Sequence, residues 1–252
     1  MHLLFLDTET TGLEQQDRLI QIGFTFRENG KPFNDNGWVF PRAEYFKAPV
    51  PISYEAMAVH HITPDRLEGK PPFAESSFKE YLEKRIDDSV FIAHNAKFDL
   101  GMMEKEGIKF KLWIDTQRVA MHLFESQSYK LQYLRYFLGL KVNQNASAHD
   151  AAGDVAVLEA LFDFLYSEIE KGGNGKGACD FDSIINHMMT LSITPILIWK
   201  FNFGKYKGKT FSEVLEFDRG YFTWLYNSEM SKMESERNED LIHTLKSHLQ
   251  HN

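Results

Sequence analysis

Leu3-Leu4-Phe5-Leu6 is an unbroken apolar run that ends at Asp7, and Leu19 to Phe26 alternates apolar and polar positions more loosely. The first reads as a strand buried on both faces. The second reads as a strand that turns at Gly30-Lys31-Pro32 toward Trp38-Val39-Phe40. Six of the eight prolines fall between Pro41 and Pro72, which predicts mostly loop with one short helix near Tyr54-Glu55-Ala56-Met57. Phe73 to Ile86 has helical spacing, and Val90-Phe91-Ile92-Ala93 is another buried strand. Within Ala148 to Lys171, Val155, Leu158, Leu161, Phe162, Leu165 and Ile169 recur at helical intervals. Strands alternating with helices predict an α/β domain.

Length and composition set the scale. A chain of 252 residues with 43% apolar and 14% aromatic content can bury one domain of ordinary size plus a smaller appendage. Lys171-Gly172-Gly173-Asn174-Gly175-Lys176-Gly177 packs four glycines into seven residues. That composition predicts a linker over 171–180, between a main domain at 1–170 and an accessory region at 181–252. Lys and Arg number 28 against 36 acids, a net charge of -8, which argues against salt-driven clamping of a long duplex. Cys179 is the one cysteine, so an intramolecular disulfide framework and a multi-cysteine zinc site are excluded. No positively charged leader precedes the first apolar run, and no apolar stretch approaches the ~18 residues of a membrane span. The expected compartment is the cytoplasm, with no membrane partner.

Asp7 and Glu9 sit two apart at the end of the first strand, where a period of two turns both carboxylates to one side. Alone, the pair reads first as a solvated strand end. Asp99 closes His94-Asn95-Ala96-Lys97-Phe98-Asp99 just after the strand Val90 to Ala93, and Asp154 follows His149 at the entry to the long helix. Four carboxylates at strand and helix ends, with one histidine, are the donor set of a two-metal hydrolase. Oxygen donors of this kind favour Mg²⁺ or Mn²⁺ over Zn²⁺. Positions five apart on a helix diverge by ~140° around its axis, so His149 belongs to the entry loop or first turn and Asp154 to the helix proper. Asp150 then reads as an N-terminal cap rather than a ligand.

Phe5-Leu6-Asp7-Thr8-Glu9-Thr10-Thr11-Gly12-Leu13, His94-Asn95-x-x-Phe98-Asp99 and His149-x-x-x-x-Asp154 resemble, in order, the three motifs of the DEDD 3′ to 5′ exonucleases. The histidine in the last motif matches the DEDDh branch, and the resemblance spans roughly residues 1 to 168. It implies a ribonuclease H-like fold, with a mixed central sheet flanked by helices. It implies Asp7, Glu9, Asp99 and Asp154 as ligands of two Mg²⁺ or Mn²⁺ ions, and His149 as general base. Gly12 and Leu13 match positions near the terminal nucleotide. Glu55-Ala56-Met57-Ala58-Val59-His60 resembles the segment of proofreading subunits in which Glu55 would bind the 3′ hydroxyl and His60 would line the base and phosphate pocket. His61 stands where that segment has glycine. Asn95 reads either as a substrate contact or as a residue satisfying its own turn. Asp115-Thr116 resembles a family strand end and reads as structural.

Past the glycine run, Phe203-Gly204-Lys205-Tyr206-Lys207-Gly208-Lys209-Thr210 and Tyr221-Phe222-Thr223-Trp224-Leu225 resemble the small extension of exodeoxyribonuclease X-like proteins. Lys200, Lys205, Lys207 and Lys209, interleaved with aromatics, suit an accessory contact to a single strand. Phe203, Trp224 and Leu225 read as core. The expectation is therefore a 3′ to 5′ exonuclease releasing nucleoside 5′-monophosphates from nucleic acid with a free 3′ end, DNA in preference to RNA. The alternatives are a polymerase proofreading subunit, with a polymerase or repair protein as partner, and a catalytically inactive binding scaffold on the same fold.

Overall fold

The computed structural model describes residues 1–33, 41–142, 151–172 and 180–250. In chain order its strands are β1 (His2–Thr10), β2 (Leu19–Glu28), β3 (Lys31–Pro32), β4 (Arg42–Tyr45), β5 (Ser89–Ala93) and β6 (Leu112–Asp115). The helices that accompany them are α1 (Tyr54–His60), α2 (Ser77–Glu83), α3 (Ala96–Lys105), α4 (Thr116–Leu123), α5 (Leu131–Phe137), α6 (Ala151–Gly172) and α7 (Phe181–Ile193). The N-terminal apolar run lies at the centre of one mixed sheet of order β3-β2-β1-β5-β6, with β4 also on β2. β1 runs antiparallel to β2 and parallel to β5, and β5 runs parallel to β6.

The alternation along β1 separates two apolar layers. Leu4 and Leu6 face Phe24, Phe78, Leu82 and Met103, the layer under α2 and α3. Leu3 and Phe5 face Val155, Leu158, Phe162 and Ile185, the layer under α6 and α7. Both layers exclude water almost completely, which at roughly 1.5–3 kcal/mol per buried large side chain makes the sheet the most strongly held part of the molecule. The expected mixed sheet with helices on both sides is what forms.

Three expectations change in detail. The proline-rich stretch holds a strand as well as the short helix, because β4 pairs with β2 from Gln21 to Phe24. The segment Trp38-Val39-Phe40 lies outside the described residues. Phe73 to Ile86 is not one helix. Ser76 donates to the Phe73 carbonyl and accepts from the Lys79 amide, so it closes a 3-10 turn and caps α2. The chain also divides later than expected, into Met1–Ser192 and Ile193–Asn252. Ile184, Ile185 and Met188 bury α7 in the core of the first unit, and Lys171 and Gly172 close α6 rather than open a linker. Residues 173–179, with Cys179, lie outside the described residues. Among the described residues, no helix is long and apolar enough to cross a membrane.

The second unit has its own core of Phe201, Phe211, Val214, Phe222, Leu225, Leu241 and Leu245. A bridge between Lys200 and Thr210 closes a tight loop, followed by α8 (Phe211–Phe217), α9 (Arg219–Met230) and α10 (Glu239–Gln250). Thr210 and Glu213 form a reciprocal capping box at the start of α8.

One contact in the first unit ties the fold to its chemistry. Gly23 on β2 stands opposite Asp7, and a Cβ there would fall within 2.8 Å of Ala151 Cβ and closer still to the Ala151 carbonyl. The missing side chain lets the first turn of α6 rest on the sheet. Gly23→Ala should cost about 1–3 kcal/mol of stability, measured by chemical denaturation. It should also lift α6 away from β1, and an unchanged denaturation midpoint would show that this contact yields freely.

Candidate active site

The end of β1 carries acids on one face and a hydroxyl on the other. Asp7 and Glu9 share the α6 side. Thr8 points to the opposite side, where its amide and hydroxyl both donate to Asp99 Oδ1, at 3.0 and 2.6 Å. Asp99 lies in the first turn of α3 and is almost fully buried. α6 supplies Asp154, which is also buried. One carboxylate oxygen each from Asp7, Glu9 and Asp154 lie within 4.8 Å of one another. Asp99 stands outside that trio, close enough for its charge to act on Asp7.

Burial is the main cause that holds the Asp7 carboxyl well above its usual range, followed by the charges of Asp99, Asp154 and Glu9. All of these influences act in the same direction. Asp99 is pushed up to about 7 by burial, which outweighs the two hydrogen bonds from Thr8. Carboxylates crowded in this way, held by neutral donors, have the charge deficit and the hard oxygen atoms that a divalent cation fits.

The supports come from distant parts of the chain. Asp115, at the end of β6, accepts from the amides of Asn95 at 3.0 Å, Ala96 at 3.1 Å and Gln117 at 2.9 Å. It therefore joins the start of α3, and with it Asp99, to the start of α4, a structural role as its sequence suggests. His94 is wedged beside it, with Nδ1 3.0 Å from Thr116 Oγ1 and Nε2 2.6 Å from the Tyr129 carbonyl. Burial lowers the tendency of His94 to protonate. On the α6 side, Gln132 of α5 donates from Nε2 to Asp154 Oδ1. No motif singled Gln132 out, since its partner lies 22 positions away on another helix.

The loop after β1 is equally braced. Thr11 Oγ1 and the Glu14 amide donate to the two oxygens of Asp17, each at 2.7 Å. Arg18 grips Glu106 with Nε at 2.7 Å and a second guanidinium nitrogen at 2.8 Å. A Cβ on Gly12 would meet Asp17 Oδ2 at 2.5 Å, so the close approach that requires glycine here is to Asp17. Leu13 is 82% exposed and is not core. Ser53 caps α1, and Glu55 is exposed in its first turn. His60 is buried, with Nε2 donating to the Thr10 carbonyl at 3.2 Å and Nδ1 accepting from the Ile62 amide at 2.9 Å. Both ring nitrogens are thus engaged by backbone, and His60 fastens α1 to the end of β1. His61 has φ of 58°, the left-handed conformation that glycine adopts without strain. Asn95 is left-handed as well, φ 66°, with an exposed side chain. His149 and Asp150 lie outside the described residues.

In the second unit, Lys200, Lys205, Lys207 and Lys209 are all exposed. Lys205 is paired with Asp218 at 2.9 Å, and Tyr206 donates to the same carboxylate oxygen at 2.5 Å. Lys200 lies 4.2 Å from the Trp199 ring centre and Lys209 5.6 Å from that of Phe217. Leu225 is buried and Phe203 packs against the core, as expected. Trp224 is not core. It is 59% exposed and stacks on Tyr221 at 5.4 Å, because it lies on the outer side of α9.

Known proteins resemble this chain over most of its length. Exodeoxyribonuclease 10 of Escherichia coli K12 is 29% identical over 245 residues, 96% of this chain and 98% of that protein. The DNA polymerase III epsilon subunit of Treponema pallidum is 31% identical over 212 residues, covering 78% of this chain and 88% of that protein. A solved structure of exonuclease X in complex with 5′-overhanging duplex DNA superposes with a TM-score of 0.53 and 25% identity, over 73% of this chain and 99% of that one. The architecture is accordingly ribonuclease H-like. Residues 201–229 match the exodeoxyribonuclease X-like C-terminal family. Residues 4–162, which hold all four acids, match the exonuclease family model, and the chain belongs to the exonuclease family.

Proposed function

We propose that the chain hydrolyses DNA from a free 3′ end, releasing nucleoside 5′-monophosphates, at Asp7, Glu9, Asp99 and Asp154. The observation that carries this reading is the convergence of Asp7, Glu9 and Asp154 on one point, from segments some 145 positions apart. Bound divalent cations, Mg²⁺ or Mn²⁺, would supply the Lewis-acid stabilisation of the scissile phosphate and of the leaving 3′ oxygen. The four acids hold these ions, while Thr8 and Gln132 hold Asp99 and Asp154 in place. His149 takes the proton of the attacking water, a role that rests on its motif and on an imidazole suited to neutral pH. Leu13, exposed beside the acids' strand, is offered to the terminal base, and Glu55 to the 3′ hydroxyl. The reading agrees with the names of the DNA-acting relatives. The match at 201–229 favours an autonomous nuclease over a polymerase-bound subunit, and specific capture of a polymerase subunit would reverse that preference.

The direct test is digestion of matched single-stranded DNA, duplex DNA and RNA, labelled at either end, in Mg²⁺. A ladder that shortens from the 3′ end of DNA is expected, and release of the 5′ label first would overturn the polarity. Asp7→Asn and Asp154→Asn should each lower cleavage by more than the ~10- to 100-fold that loss of an outer support costs. In EDTA the Asp7→Asn protein should melt at a higher temperature than the parent. A carboxyl raised by burial and like charge destabilises the fold when ionised, so removing the charge relieves the strain.

His149→Ala should lower the rate by roughly 10²- to 10⁴-fold and flatten its rise with pH through the imidazole titration. An unaltered pH profile in that variant would leave His149 with a structural role.

For the second unit we propose a contact with the single strand beyond the active site, through Lys200, Lys207 and Lys209 and the exposed rings of Trp199 and Trp224. Lys205, paired with Asp218, acts chiefly to brace the loop. Neutralising Lys200, Lys207 and Lys209 together should weaken binding of long oligonucleotides and reduce the salt dependence by about 0.7 per lost phosphate contact. Turnover of a very short oligonucleotide should stay unchanged. Equal losses on short and long substrates would place these lysines in the support of the nuclease instead.

A further inference from the structure

Gln21 is 1% exposed, yet among the described residues its Nε2 and Oε1 find no hydrogen-bond partner. It lies on β2 directly opposite Glu9, and Gly23, two residues on, lies opposite Asp7. Cross-strand partners share a face, with Cβ atoms ~4.5–5.5 Å apart, so the side chain of Gln21 leaves the sheet next to that of Glu9. A fold keeps an unpaired buried amide at a cost to its own stability, and such groups call for a reason of another kind. The other amide at this site shows what that reason is. Gln132 already donates to Asp154, while Gln21 stands next to a second acid with its donor unused.

We propose that Gln21 is a positioning residue for Glu9. Its Nε2 donates to one carboxylate oxygen of Glu9 when the other is drawn to a divalent cation, and so fixes the orientation of that acid. The proposal rests on the metal-dependent reading given above. A neutral amide suits this place for electrostatic reasons. Glutamate would add another negative charge to a cluster already crowded, and lysine would pair with Glu9 and compete with the cation. An outer-shell amide does neither, and orients the carboxylate it touches.

The test compares the parent with Gln21→Leu, and with Gln21→Met as a second apolar variant in case the branched side chain packs poorly. Unfolding temperature is measured in EDTA, Mn²⁺ affinity by calorimetry, and the environment of bound Mn²⁺ by electron paramagnetic resonance. Loss of the unpaired amide should leave the unfolding temperature in EDTA equal or higher. Mn²⁺ affinity should fall about 10- to 100-fold, with an altered Mn²⁺ spectrum. Unchanged Mn²⁺ affinity in a folded variant would overturn the role of Gln21 alone. A lower unfolding temperature for both variants in EDTA would also overturn it, since the amide would then be holding the fold. Failure of the parent to bind Mn²⁺ would overturn the metal reading itself and this role with it.

Discussion

Burial of carboxylates crowded around the end of one strand is the constraint on which the rest of the structure turns. Desolvation does most to raise Asp7, and the charges of Asp99, Asp154 and Glu9 add to it. Hydrogen bonds to charged groups contribute about 1.5–3 kcal/mol each, whereas burying a carboxylate costs several kcal/mol per ion even after relaxation. The donors from Thr8 and Gln132 therefore offset only part of the cost. What remains is a standing preference for positive charge, and an acidic protein needs such a local preference before it can approach a polyanion at all.

Among the described residues, two arginines brace the elements around the site. Arg18 reaches Glu106, joining the loop after β1 to the end of α3. Arg27 reaches Glu159 at 2.8 Å and Asp163 at 2.5 Å on α6, and its guanidinium lies 4.8 Å from the Phe5 ring centre. These pairs lock the elements that carry the acids without neutralising the acids. Stiffness is supplied by the outer pairs and affinity for a cation by the inner deficit, and the two roles stay separate because different residues perform them.

How far the sequence discloses this depends on the range of each interaction. The phase of Asp7 and Glu9 follows from a two-residue period, a local rule. Asp99 and Asp154 are legible because their motifs stand next to strong apolar periodicity. Gly23 is opaque, since the Ala151 backbone that demands a glycine lies 128 positions later. Gln132 and Gln21 are opaque for the same reason. β4 hides among prolines because its strand character comes from backbone pairing with β2 rather than from its own side chains. The glycine run marks a break in composition, but α7 beyond it carries an apolar face that packs in the first core. His60, expected to line a pocket, is taken up by two backbone groups that no local pattern announces.

The alternation of β1 also limits how a protein of this design can vary in length. Leu3 and Phe5 belong to one apolar layer and Leu4 and Leu6 to the other, so the core fixes which way each later residue points. A single residue gained or lost between Leu6 and Asp7 would exchange the faces, sending the acids toward α3 and Thr8 toward α6. A second such change would be needed to restore them. The loop of residues 11–18, closed by the Thr11 amide on the Arg18 carbonyl and by the side chain of Asp17 rather than by a strand register, carries no such parity. Insertions over evolutionary time are thus admissible there, next to the site, while the few residues that reach it from the core are held to a fixed count.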